Sequence, residues 1–273
     1  MGRRADLHIH TTFSDGALSP REIIARAREL GLATISITDH DHTGAFAEAT
    51  DYGRATGVEV IPGIELSVTL DAQEIHLLGY FFDPGNPALQ EFLSRIRIER
   101  RKRAERIVAR LNTLDIGLSL EAVIRQAGEG AIGRPHIANA LVEENLVGSY
   151  QEAFVRFLAG GKPAYEGKYQ VPPREAIEII AGAGGRTFIA HPGNFLEERM
   201  LLRLIHDGVD GIEVVHPSHS SERETHYRGI AGEYFLLTSG GSDFHGGRRN
   251  DNEAFGRYTV PYDHVEAMRR RLQ

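Results

Sequence analysis

His8 and His10 stand two residues apart in Ala5-Asp6-Leu7-His8-Ile9-His10, with Ser14-Asp15-Gly16 close behind. In an extended strand, alternate side chains share a face, so both imidazoles point the same way, about 6–7 Å apart, and can close on one metal ion. The Ser-Asp-Gly turn can swing the Asp15 carboxylate back toward them. Taken alone, His-x-His is as often a pair of surface residues. Further along, five apolar runs break into the same residue types. Residues 32–38 lead into Asp39-His40-Asp41-His42, 58–64 into Glu65, 187–190 into His191, 211–215 into His216, and 234–239 into Ser242-Asp243-Phe244-His245. His76 lies within another run, 74–82. Imidazole is the commonest protein metal ligand, and this chain has 13 histidines against only three lysines. Any one of these residues could be an ordinary hydrogen-bonded core histidine; together, at successive strand ends, they read as a multinuclear metal site.

The elements that must carry these residues follow from pattern. Ser19, Pro20 and Glu22 form an N-cap, first-turn proline and capping-box signature for a helix over 20–30, stopped by Gly31. A helix over 46–57 separates the strands at 32–38 and 58–66. This strand–helix rhythm predicts a parallel sheet, open or closed, with the ligands at the C-terminal ends of its strands, the face on which α/β barrels assemble active sites. The rhythm breaks at Asp83-Pro84-Gly85-Asn86-Pro87. Apolar residues then recur at helical spacing over 89–114, and helices are expected over 120–127, 134–143 and 150–158. Residues 83–168 therefore read as an all-helical insertion, a substrate cap, between barrel segments 1–82 and 169–273. Alternation resumes with helices over 173–183 and 196–207, a strand near 258–260 and a C-terminal helix.

Composition narrows the chemistry. The chain has no cysteine, which excludes disulfides, thiolate zinc sites and cysteine nucleophiles and fits a reducing cytosol. No apolar run reaches membrane-spanning length, and no signal-peptide core precedes the first strand, so a cytoplasmic protein is expected. A net charge of −7 makes the whole molecule a poor non-specific nucleic-acid binder. One stretch departs from this: 95–110 carries eight cations against two acids, most simply a solvated helix face, with guidance of an RNA backbone as the lesser reading. Nothing in the sequence calls for an obligate protein partner.

The motifs His8-x-His10 with Ser14-Asp15-Gly16, Ile37-Thr38-Asp39-His40-Asp41, Gly63-Ile64-Glu65, His191-Pro192 and Ser242-Asp243-Phe244-His245, in that order, resemble those of the PHP (polymerase and histidinol phosphatase) superfamily. The resemblance implies an α/β fold, a distorted (β/α)7 barrel, with a trinuclear divalent-metal centre that cleaves phosphoesters. It implies that His8, His10, Glu65 and Asp243 hold a first metal. Glu65 would bridge to a second, completed by His76 and His191, and Asp15, His40 and His245 would hold a third. Ligands of nitrogen and oxygen without sulfur suit Mn, Fe or Zn. Three such ions against Asp15, Glu65 and Asp243 leave a pocket of about +3, attractive to a phosphate dianion. Asp39 or Asp41 would orient imidazoles from behind the ligands.

The segments around Arg134 and His216 resemble those of the 3′,5′-nucleotide bisphosphatases and 5′-to-3′ exoribonucleases within that superfamily. By that resemblance Arg134 and His216 grip the scissile phosphate of a small nucleotide or a short 5′-phosphorylated RNA. The general acid would be a metal-bound water, His216 or Asp41. A histidinol-phosphate-type phosphatase is the nearest alternative. A C–N amidohydrolase is a further one, weakened because the three lysines (Lys102, Lys162, Lys168) lie outside the expected strands. A non-catalytic metal-binding module would be expected to have lost ligands, and all nine positions are filled.

Overall fold

The structure, a computed structural model, describes residues 2–193, 196–247 and 249–272. Strand β1 (Arg4–Ile9) is buried from Ala5 onward, and it lies beside β2 (Thr34–Ile37), which pairs in turn with β3 (Glu59–Leu70); all three are parallel. Between them run α1 (Pro20–Glu29) and α2 (Ala45–Thr56), whose Ile23, Ile24, Ala27, Ala45 and Ala49 pack against Ile9, Ile35 and Ile37. The capping box on α1 forms as the sequence predicts: the Glu22 amide donates to Ser19 Oγ and the Ser19 amide to the Glu22 carboxylate.

The sheet then departs from the parallel expectation. β4 (Gln73–Tyr80) returns antiparallel along β3, from Leu70↔Gln73 to Gly63↔Tyr80, and pairs antiparallel with β5 (Arg186–Ile189) as well. The two-residue turn is Asp71-Ala72, both with positive φ (49° and 64°), the backbone that matches the twist of a tight hairpin. No glycine or asparagine marks it, so the sequence conceals it. The reversal explains His76. A mid-strand residue on a parallel strand would lie below the site, whereas on reversed β4 it sits opposite Ser67, near the C-terminal end of β3.

β6 (Gly211–Val215) and β7 (Leu237–Gly240) resume the parallel direction, and β8 (Val260–Pro261) adds an antiparallel edge to β1. The order is β7-β6-β5-β4-β3-β2-β1-β8, an eight-stranded sheet that curls until its ends nearly meet. Closure is made beyond β7, where Phe244 bridges to Ile9 and the His10 amide donates to the Phe244 carbonyl at 2.9 Å. Around the strands lie α7 (Pro173–Gly182), α8 (Glu198–Asp207), α9 (Ser221–Glu233) and α10 (Asp263–Arg270). The sequence pattern does not announce α9, because only Tyr227 and Ala231 are buried along it.

Helices α3 (Pro87–Asn112), α4 (Leu120–Ala127), α5 (Arg134–Glu143) and α6 (Tyr150–Ala153), the last running into a π-helical turn at Phe154–Leu158, occupy the chain between β4 and β5. They have their own apolar core of Ile107, Leu111, Val123, Ile137, Leu141 and Leu158. The first turns of α3 belong elsewhere: Leu89, Phe92, Leu93 and Ile96 pack with Ile64, Leu66 and Ile180 of the barrel.

One glycine sets the spacing of the closure. Gly241 presses on the β1 backbone, and a Cβ there would collide with His8. Gly241→Ala is expected to lower unfolding free energy by about 1–3 kcal/mol, as overpacking does, in urea titrations. Ser19→Ala, which removes the cap but touches no ligand, should cost about 1 kcal/mol.

Candidate metal centre

One carboxylate gathers the site. Glu65, 1% exposed on β3, has His76 Nδ1 and His191 Nε2 each 2.8 Å from Oε1. His40 Nδ1, His10 Nε2 and His8 Nε2 lie 3.1, 3.2 and 3.4 Å from Oε2. Asp243 Oδ1 is 3.1 Å from His10 Nε2 and 3.4 Å from His8 Nε2. Asp15 Oδ1 is 3.3 Å from His245 Nε2 and 4.0 Å from His40 Nε2. All nine residues expected as metal ligands are thus brought together. They fall into overlapping groups whose donor atoms lie within 4.8 Å of one another: His8, His10, Glu65 and Asp243; His40, Glu65 and His76; and His10, Asp15, His40 and His245. His191 joins Glu65 and His76, its Nε2 3.4 Å from His76 Nδ1. Backbone turns at the strand ends aim these groups: His191 and Asp243 have positive φ (24° and 49°), the sort of local strain that collects at functional sites.

The cluster fits cations on its own evidence. His8 Nε2, His10 Nε2, Asp15 Oδ1, His40 Nδ1, Glu65 Oε2 and His245 Nε2 are buried without a hydrogen-bond partner, although buried polar atoms ordinarily have one. The far nitrogens are spoken for. His8 Nδ1 donates to Glu213 Oε1 (2.9 Å) and His245 Nδ1 to the Asp243 carbonyl (2.7 Å). His10 Nδ1 donates to Ser14 Oγ (3.3 Å) and His76 Nε2 to Glu74 Oε1 (3.3 Å). In the neutral imidazole each of these bonds leaves a lone pair facing the cluster, the arrangement metal-ligating histidines adopt. Burial alone would raise the Glu65 pKa, but the surrounding His40, His76 and His8 hold it well below the carboxylate range. Burial opposes protonation of His10 too, yet its contacts with Asp243 and Glu65 raise it to about 9. The acids are ionised and ask for positive charge.

His216 is different. Its Nδ1 accepts from the Ser218 amide (3.0 Å), so the neutral ring carries its hydrogen on Nε2, 3.5 Å from Asp243 Oδ2. Its Nε2, buried and without a hydrogen-bond partner, faces the cluster from the Asp243 side.

Two sequence expectations are altered. Asp41 does not join the cluster: its Oδ2 accepts from Arg100 Nε at 2.8 Å and from Arg100 Nη2, and its Oδ1 from the Ser67 amide at 2.9 Å. With both oxygens committed, Asp41 fastens α3 to β3 and does not serve as a general acid. Asp39 does work from behind, but on the loop: Thr11 N, Thr11 Oγ1 and Ser14 Oγ all donate to it. Sequence reasoning missed Glu213, whose two oxygens hold His8 Nδ1 and the His191 amide (2.7 Å); an acid inside the apolar run Gly211–Val215 was the available signal. It also missed Arg249, whose Nη2 donates to Asp15 Oδ2 at 2.5 Å.

A cavity of about 250 Å³ opens on Asp15, His40 and His76 and is walled opposite by Arg103, Arg134 and Lys168, with the Tyr150 and Phe154 rings beside them. Lys168 pairs with Glu74. Arg103 and Arg134 donate to the Glu166 and Leu158 carbonyls, and among the described residues neither pairs with a carboxylate.

The model of the PHP domain matches residues 6–170. The chain belongs to the PHP domain family. It is 38% identical to the 5'-3' exoribonuclease Rnm of Escherichia coli K12, over 88% of this chain and 84% of that one. It is 37% identical to the 3',5'-nucleoside bisphosphate phosphatase of Chromobacterium violaceum, over 88% and 86%. A solved structure assigned as a metal-dependent phosphoesterase of Bifidobacterium adolescentis superposes with a TM-score of 0.89 at 32% identity, covering 97% of this chain and 94% of that one. This PHP protein is a metal-dependent phosphoesterase. Among its described residues no helix is long and apolar enough to cross a membrane.

His191→Ala should lower bound metal and hydrolysis together, measured by elemental analysis and turnover. Glu213→Gln, which keeps the shape but weakens the hold on His8, should cut metal affinity by roughly 10–100-fold. Undiminished affinity in the second variant would remove Glu213 from this role.

Proposed function

We propose that the enzyme hydrolyses the P–O3′ bond of nucleoside 3′,5′-bisphosphates and of short 5′-phosphorylated RNA, with three divalent ions of Mn, Fe or Zn. The carrying observation is a cavity lined both by Asp15, His40 and His76 of the cluster and by two guanidiniums that pair with no carboxylate among the described residues. Anions suit both walls, so a substrate with two phosphates suits the cavity. His8, His10, Glu65 and Asp243 would hold one ion, Glu65, His76 and His191 a second, and Asp15, His40 and His245 a third. Such ions activate water and neutralise charge developing on phosphoryl oxygens.

The protein's own groups divide the remaining work. The sequence reading places Arg134 and His216 together on the scissile phosphate; Arg134 lines the cavity beside His40 and His76, while His216 lies against Asp243. Arg134 and Arg103 therefore suit the non-reacting 5′-phosphate; burial and the neighbouring Arg134 and Arg100 lower the Arg103 pKa to about 10, and it stays charged at neutral pH. A planar fork binds phosphate in two-point fashion, which fixes the nucleotide. Tyr150 and Phe154 offer flat surfaces for a base. His216 Nε2–H can donate to the scissile phosphate, or to the departing O3′.

Both substrate types then need one chemistry. Water adds to phosphorus, the P–O3′ bond breaks, and a proton passes to O3′. A 3′,5′-bisphosphate yields a nucleoside 5′-phosphate and inorganic phosphate; RNA yields a nucleoside 5′-phosphate and a shortened strand whose new 5′-phosphate is the former linking phosphate. Wild-type enzyme should turn over adenosine 3′,5′-bisphosphate faster than histidinol phosphate, lose activity to EDTA, and regain it with added Mn, Fe or Zn. Preference for histidinol phosphate would overturn the nucleotide assignment. Arg134→Ala should raise KM for adenosine 3′,5′-bisphosphate at least tenfold at unaltered metal content, and affect adenosine 3′-monophosphate far less. Equal losses on both would take Arg134 off the second phosphate.

A further inference from the structure

The cluster is open on a second side. A groove of about 330 Å³ starts at His216 and Asp243 and runs between Pro217, Asn250, Glu253, Ala254, Arg257 and Tyr258. Arg249 borders both this groove and the first cavity; its guanidinium spans the opening, bonded to Asp15 with Nη1 4.0 Å from Asp243 Oδ2. A substrate bound at the cluster is therefore not enclosed. It can continue past the metals and emerge on the other side.

The proposed hydrolysis makes that opening meaningful. In a 3′,5′-bisphosphate, the oxygens on phosphorus other than O3′ end there. In RNA, one of them is O5′ of the next nucleotide, so the chain must leave the cluster in a direction away from the first nucleotide. With that nucleotide's phosphate and base assigned to the first cavity, the groove beyond His216 and Asp243 offers the chain a way out. Its lining suits a nucleotide: the Arg257 guanidinium lies 5.8 Å over the Tyr258 ring, and Asn250 supplies an amide. A base can stack on such a ring and a phosphate can meet the cation.

We propose that this groove, from His216 to Tyr258, binds the second and following nucleotides of an RNA strand, and so separates turnover of RNA from turnover of a mononucleotide. This inference rests on the nucleotide reading of the metal centre. It adds a site that the reading does not require, because a bisphosphate fits without it.

Binding tests it apart from catalysis. Metal-loaded enzyme is titrated into a fluorescent 5′-phosphorylated RNA tetranucleotide with phosphorothioate linkages, competed by adenosine 3′,5′-bisphosphate. Wild type should bind the tetranucleotide at least tenfold tighter than the bisphosphate. Tyr258→Ala and Arg257→Ala should each lower the ratio of oligonucleotide to bisphosphate affinity by tenfold or more. Glu253→Lys, which adds a cation to the groove, should raise that ratio about threefold, a gain that damage to the fold cannot produce. Equal affinity of wild type for the two ligands, or variants that change both in proportion, would overturn the groove assignment. Loss of bisphosphate turnover in wild type, with the oligonucleotide still bound through the groove, would instead overturn the proposed reaction.

Discussion

A single buried carboxylate, Glu65, has imidazole nitrogens from five histidines within 3.4 Å of its oxygens. Those histidines come from β1, the end of β2, β4 and the end of β5, so the position of Glu65 is a constraint on four strands at once. An isolated ionised carboxylate away from water is costly enough that a protein normally neutralises it or pairs it. Here Asp15 and Asp243 stand close by and are also held ionised: burial raises both, and neighbouring histidines, His245 first in each case, more than reverse it. Three acids and inward-facing imidazole nitrogens form a cage in which cations would take the place of the protons that the acids otherwise draw onto His8, His10 and His76. The barrel closure, the left-handed turns at His191 and Asp243 and the β3–β4 hairpin all serve to complete it.

What was legible in the sequence was what local chemistry dictates. His8 and His10 alternate on a strand, Ser19 and Glu22 cap a helix, and Gly31, with a φ of 67°, stops it. The ligand types themselves survive in any reading of the chain. What was hidden depends on contacts between distant residues. Asp71-Ala72 forms a hairpin turn that lacks the usual residues, so the direction of β4 was misread while its extent was not. Helix α9 contains Gly229 and Gly232 and has little apolar face, and packing on β6 and β7 holds it in place of propensity. Asp41 carries a ligand-like residue type beside His40, yet Arg100, 59 residues away, claims it. Arg249 sits in a loop whose sequence has no period to read.

The helices between β4 and β5 are tied to the metal loops more firmly than a loose cover would be. α3 starts within the barrel core and then delivers Arg100 to Asp41, next to His40. His136 of α5 accepts from the Gly133 amide through Nδ1 and donates to the Ser14 carbonyl at 2.6 Å, and the Ala131 amide donates to the Phe13 carbonyl. The loop that carries Asp15 is therefore held from two sides, by Asp39 beneath and by the helical segment above. A rearrangement of that segment would move Asp15 as well as the cavity wall, so the shape of the cavity and the geometry of the acid cluster share a mechanical link.

Charge explains why recognition is concentrated at the site. The molecule is acidic overall, and the eight cations between 95 and 110, which in sequence suggest a track for RNA, are largely spent. Arg95 pairs with Glu175, Lys102 with Glu99, Arg101 with Glu105, and Arg106 and Arg110 with Glu166, while Arg100 is bound to Asp41. Arg100 and Arg103 both line the cavity that also holds Arg134, and of these two Arg103 is the one that pairs with no carboxylate among the described residues. A long surface track would collect any polyanion through counterion release. With the outer cations neutralised, attraction is left to the metal cage, the two inward guanidiniums and the narrow approaches on either side. Attraction of phosphates is thereby concentrated near one buried centre instead of being spread along an outer surface.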